Sequence, residues 1–179
     1  MESFSANIYS MESNFAKTDL TALFSELVRL EVELWGAVEG RVRAEHGMAL
    51  GSYEVMAVVV RQPGCRVHDI AAALSITVGG VSKIVDRLEA AGYCARRANP
   101  ADRRSSIIEL TTSGDRLLAQ LSQTVEDELE RRLGPARPGV SLAGLTRTLT
   151  QLRSTVRATG TPDAADAADA ADAAEQATR

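Results

Sequence analysis

The chain has 179 residues, enough for one domain with an appendage, and 45% of them are apolar, enough for a packed core. Two cysteines are too few for a disulfide scaffold, and a formal net charge of −4 excludes a general polycation. The charge is uneven: residues 61–104 hold eight Lys or Arg against four Asp or Glu, so a +4 window sits on a body of −8. Such asymmetry points to a local anion-binding face on an acidic protein.

Residues 1–17 are polar and mixed, and read as a loose arm or short helix. They lack the basic start and apolar stretch of a signal peptide. The longest apolar run, 55–60, is too short to span a bilayer. A soluble, cytoplasmic, reduced protein without a membrane partner is expected. Leu20, Leu23, Phe24, Leu27, Leu30, Leu34, Val38 and Val42 recur at helical spacing. Thr18 is the expected N-cap of that helix and Gly47 its C′ residue. The stripe exceeds what a small domain needs for itself, so a partner helix is expected.

A second, strongly apolar helix is expected over 53–61, stopped by "QPG", and a third over 67–74. "SIT" then makes a tight turn before a fourth helix over 78–91, ended by Gly92. The runs "YCARRA" and "SIIEL" are short enough for strands, and "NPADRR" between them has turn chemistry. Helical periodicity resumes through Leu117, Leu118, Leu121, Val125, Leu129 and Leu133. It breaks at "GPARPG" and returns through Leu142, Leu145, Leu149, Leu152 and Val156. The closing "DAADAADAADAA" has no large apolar side chain to bury and is expected to be disordered or a frayed helix.

Three helices and a hairpin, with a tight turn between the second and third of those helices, describe a winged helix-turn-helix. A helix fits the major groove, and its first residues reach base edges while its free N–H groups meet phosphate. Thr77 is the expected cap of the fourth helix, with Val78, Gly79, Gly80, Val81, Ser82 and Lys83 as its leading face and Arg87 one turn on. Two adjacent glycines in a helix cost about 1 kcal/mol each. Either they allow close backbone approach to DNA and room for a thymine methyl or a neighbouring side chain, or they belong to a longer turn and the helix starts at Val81. Of Arg96 and Arg97, strand alternation lets one face DNA, and Arg97 is favoured.

"DIAAALSITVGGVSKIVDRLEAAGY" followed by "DRRSSIIELTTSG" resembles the MarR family of bacterial transcriptional regulators. The wing signature is Asp102-x-Arg104-x-x-x-Ile108-x-Leu110-Thr111, and "VDRLEAAGY" joins recognition helix to wing. The resemblance covers about residues 18–157. It implies a mainly α fold with a small β-hairpin wing: a winged helix-turn-helix domain plus a helical dimerisation domain. It also implies a homodimer in which the first, fifth and sixth helices intertwine, and two winged modules meeting a pseudo-palindromic site on double-stranded DNA. The expected organisation is an N-terminal arm (1–17), a dimerisation helix (18–47), a winged helix-turn-helix DNA-binding domain (48–111), dimerisation helices (112–157) and an acidic Ala/Asp tail (158–179).

Two departures from the family pattern stand out. Ser75 occupies a turn position where glycine is common, and Gly79 and Gly80 replace a commoner polar pair. More of the readout then falls on Lys83, Arg87 and the wing. Asp102 is expected to pair with a nearby arginine and shape the wing tip, sending Arg103 or Arg104 into the minor groove.

Other residues carry competing readings. Cys65 and Cys94 are either thiol sensors or small buried hydrophobes. Cys65-x-x-His68 with His46 suggests zinc, though two ligands at that spacing are a weak signal. Trp35, the single tryptophan, either lines a small-molecule effector pocket or belongs to the core. Enzyme and cofactor motifs are not visible: there is no phosphate-binding glycine loop, no HExxH and no grouped His, Ser and Asp. The expected function is a transcriptional regulator, a repressor released by an effector. An architectural DNA-binding protein and a metal- or redox-responsive regulator are the alternatives.

Overall fold

The computed structural model describes residues 3–100 and 105–159. Helix α1 runs over Ser3–His46. It therefore starts far ahead of Thr18, which lies inside the helix rather than capping it. The stretch before Thr18 contains neither glycine nor proline, so nothing in it interrupts the backbone ladder. The far end is where the sequence put it: Gly47 takes φ +66° and its N–H donates to the Arg43 carbonyl at 2.9 Å.

Helix α2, Leu50–Arg61, begins three residues before the expected position. Its N-cap, Ala49, has no side chain to offer. Glu39 of α1 substitutes, accepting from the Leu50 N–H at 2.5 Å, and this bond holds its carboxyl below the usual range. A cap delivered from another helix cannot be seen in the local sequence. Helix α3, Val67–Leu74, matches expectation, as does the start of α4, Val78–Ala90. The two are bent by 117° across a three-residue turn, within the helix-turn-helix range.

Strands β1, Cys94–Ala98, and β2, Ser106–Leu110, pair antiparallel with Cys94 opposite Leu110 and Ala98 opposite Ser106. Thr111 caps α5, Thr112–Leu133, by accepting from the Gly114 N–H at 3.1 Å. A short 3-10 helix, Gly134–Gly139, turns the chain into α6, Leu142–Thr159. The architecture is thus mainly helical with one two-stranded wing.

The core gathers one face from each element of the winged module. Met56, Ile70, Val81, Val85, Leu88 and Ile108 are fully buried, and Val42 of α1 and Leu121 of α5 join them. α6 has no buried residue. Along α1, Leu20, Leu23, Phe24, Val28, Leu30, Val32 and Trp35 are all exposed. Among the described residues, no single helix is long and apolar enough to cross a membrane.

Candidate nucleic-acid interface

The start of α4 decides the glycine question. Thr77 sits in extended backbone, φ −68° and ψ 148°, and its hydroxyl accepts from the Gly80 N–H at 3.1 Å. The Val81 N–H reaches the Thr77 carbonyl at 3.1 Å. The helix therefore begins at Val78, and both glycines lie in its first turn with ordinary negative φ. A Cβ placed on Gly80 would stand 3.1 Å from the Thr77 hydroxyl oxygen. The room Gly80 leaves is thus used first by a neighbouring side chain, the cap itself.

Beyond that turn, Val81, Val85 and Leu88 face inward and Lys83, Asp86 and Arg87 outward, with Ser82 half-buried. Lys83 and Arg87 stand one helical turn apart on the exposed face and make no ion pair with another described residue. The +4 window behaves differently elsewhere. Arg66 is bound to Asp69 at 3.0 Å in the capping box of α3. Arg97 is exposed and lies 3.3 Å from Glu109 across the strand pair.

Arg96 takes a role that sequence reasoning missed. Its guanidinium donates to Asp86 at 2.7 Å and to Glu89 at 2.5 Å, and its backbone N–H donates to Glu89 at 3.1 Å. Asp86 is 58% exposed on the same helix as Lys83, where a bare carboxylate would repel phosphate. Arg96 neutralises it and ties the wing to α4. The signal was available in principle, because an acid beside Lys83 and Arg87 on a helix expected to face phosphate calls for a nearby cation. Arg96 is thereby committed to these carboxylates, and Arg97 is the more exposed of the pair.

At the wing tip, the Asn99 side-chain amide donates to the Ser105 hydroxyl at 2.9 Å and closes the hairpin. Asp102, Arg103 and Arg104 lie outside the described residues. Ser75 is held at φ 57°, ψ 43°, the one left-handed residue other than glycine among those described. Arg157 of α6 donates to the Ser75 hydroxyl and to the Ala72 carbonyl, each at 3.1 Å. That contact joins two segments 82 residues apart, and no local pattern announces it.

Trp35 lines an apolar groove of about 230 Å³ with Leu34, Val38, Leu50, Val125 and Leu129, and with Glu31 and Glu54 at hand. The groove lies where α1, α2 and α5 meet, so the indole is neither core nor isolated. The cysteine expectations fare differently. Cys65 and Cys94 are both buried. Burial pushes the Cys65 thiol up and drives Cys94 up to about 11. A sensor thiol needs the opposite shift and access. His46 bonds Thr124 at 2.8 Å, and among the described residues no three His, Cys, Asp or Glu gather to hold a metal. The redox-responsive alternative is thereby weakened: both thiols are enclosed and shifted away from the thiolate.

Comparison with known proteins agrees with this geometry. Residues 46–105 match the sequence model of the MarR family. A protein of Thauera aromatica, named as a transcriptional regulatory protein for the hcr operon, is 29% identical over 111 residues, which is 60% of this chain. The match spans 66% of that protein, just under two thirds. The crystal structure of CouR from Rhodococcus jostii RHA1 bound to p-coumaroyl-CoA is 25% identical with a TM-score of 0.64, over 75% of this chain and 92% of that one. The repressor CouR bound to a 23-mer DNA duplex is 26% identical with a TM-score of 0.60, over 72% and 89%. These relatives are regulators rather than enzymes. With its capped fourth helix and two-stranded wing, the chain is similar to winged helix-turn-helix transcriptional regulators of the MarR family, whose sequence model its residues 46–105 match.

Proposed function

We propose that this protein is a cytoplasmic, sequence-specific regulator, a repressor, that binds a pseudo-palindromic operator as a homodimer. The observation that carries the reading is the exposed face of α4. Among the described residues Lys83 and Arg87 have no carboxylate partner there, while Arg96 and Arg97 are each bound to one or more. Thr77, Gly79, Gly80 and Ser82 form the leading turn that approaches the major groove. Arg97 and the wing residues Arg103 and Arg104, shaped by Asp102, meet the flanking backbone and minor groove. CouR in complex with a duplex supports this assignment by likeness.

The groove beside Trp35 is the proposed effector site, fitting an apolar or aromatic ligand body. CouR bound to p-coumaroyl-CoA supports a ligand of that kind, and the single indole reports its arrival by fluorescence. Selection of bound duplexes from random DNA tests the reading as a whole. A two-half-site motif is expected. Equal recovery of all sequences contradicts it and makes the protein architectural.

A further inference from the structure

The formal net charge of the whole chain, −4, lies entirely in residues 160–179, where Asp163, Asp166, Asp169, Asp172 and Glu175 face one arginine, Arg179. The rest of the protein is formally neutral. The point from which this acidic segment departs is fixed by the contact of Arg157 with Ser75 and Ala72 at the turn before the recognition helix. α6 ends two residues later, at Thr159.

We propose that the acidic segment 163–175 docks on the cationic face of α4, at Lys83 and Arg87, and competes there with DNA. The inference rests on the reading of α4 as the DNA-contacting helix. Its geometry is permissive. The four residues from Thr159 to Asp163 span up to about 14 Å when extended, and each later residue adds about 3.5 Å. Lys83 and Arg87 lie about 8 and 14 Å along α4 from Val78. Its charges are complementary: two cations without a carboxylate partner among the described residues, and a run of carboxylates at every third position of the segment. The consequence is selective. A weakly held non-specific duplex has to displace the segment for phosphate contacts alone, whereas an operator adds base contacts. The segment lowers the affinity of every duplex that uses this face by the same factor, which empties weak non-specific complexes while tight operator complexes stay occupied, and most at low salt.

The test uses the full chain with Asp163, Asp166, Asp169 and Asp172 changed to Asn and Glu175 to Gln. Affinity for a random duplex is measured from 50 to 300 mM salt, and amide resonances of α4 are recorded without DNA. The expected result is an affinity gain of about fivefold or more at the low end, fading towards none at the high end. A steeper salt slope is also expected, since displaced carboxylates no longer substitute for released counterions. The Lys83 and Arg87 amides shift on neutralisation. Unchanged affinity overturns the proposal. So does a gain in affinity without any α4 shift, which means long-range repulsion without docking, or a shift confined to α6. If neither protein binds any duplex, the DNA reading of α4 has failed, and the α4 resonances alone then decide whether the segment docks.

Discussion

Gly80 shows how one missing methyl group serves two ends. Replacing it with alanine improves helix propensity by about 1 kcal/mol. The new Cβ, however, crowds the Thr77 oxygen at 3.1 Å, and a threonine cap is worth about 1 kcal/mol. The two effects oppose, so Gly80→Ala is expected to change stability by less than about 0.5 kcal/mol in chemical denaturation. Affinity for a selected duplex should fall, because the methyl group projects from the leading turn. A gain of a full 1 kcal/mol would mean that the hydroxyl moves aside freely. The cap was readable from Thr77 and its distance to the helix start. The crowding was not, since it depends on where a hydroxyl points.

At the scale of elements, the helices that pack by their own periodicity were legible and those fixed by distant partners were not. α3 and α4 announce themselves through Ile70, Val81, Val85 and Leu88, and the wing through its two short runs and turn residues. The early start of α2 depends on Glu39, eleven residues upstream. The docking of α5 depends on Gly114, where a Cβ would stand 2.0 Å from the Tyr93 carbonyl oxygen. A glycine in "TTSG" carries no mark of that approach. Between α1 and α5, the buried carboxylate of Glu128 is bound by Arg131 at 2.5 Å and Arg132 at 2.9 Å, with Arg41 at 3.5 Å. The hydrogen bonds from Arg131 and then Arg132 lower its pKa from 4.5 to about 2. Because the unfolded chain binds this proton more readily, the contribution to stability is complete above about pH 4.5 and is lost as pH falls through 2. Glu128→Gln should therefore be less stable than wild type by a constant margin from pH 7 to 5, with the gap closing towards pH 2. Urea unfolding across that range checks it, and a gap that widens in acid contradicts the assignment.

For the molecule as a whole, the exposed apolar residues of α1 and α6 are the largest feature that a single chain leaves unexplained. Leu20 and Phe24 are each 68% exposed, as is Val156 at the far end of α6, and Leu145, Leu149 and Leu152 line the same helix. Such stripes at helical spacing are stable in water when a second copy covers them. Sedimentation without DNA at micromolar concentration should show a dimer, and Leu20→Glu with Phe24→Glu should shift it towards monomer. A wild-type monomer would remove the two-fold symmetry on which a pseudo-palindromic site depends. The central claim is that α4 reads DNA through Lys83 and Arg87, and the salt dependence of binding to a selected duplex addresses it most directly. Each phosphate contact contributes close to one unit to the slope of log affinity against log salt, and a lost base contact costs about 1–3 kcal/mol. Lys83→Ala and Arg87→Ala should each weaken binding, with a flatter slope where phosphate is the partner and relaxed preference at one base pair where a base is. If both variants keep wild-type affinity, slope and sequence preference, α4 is not the DNA-contacting helix.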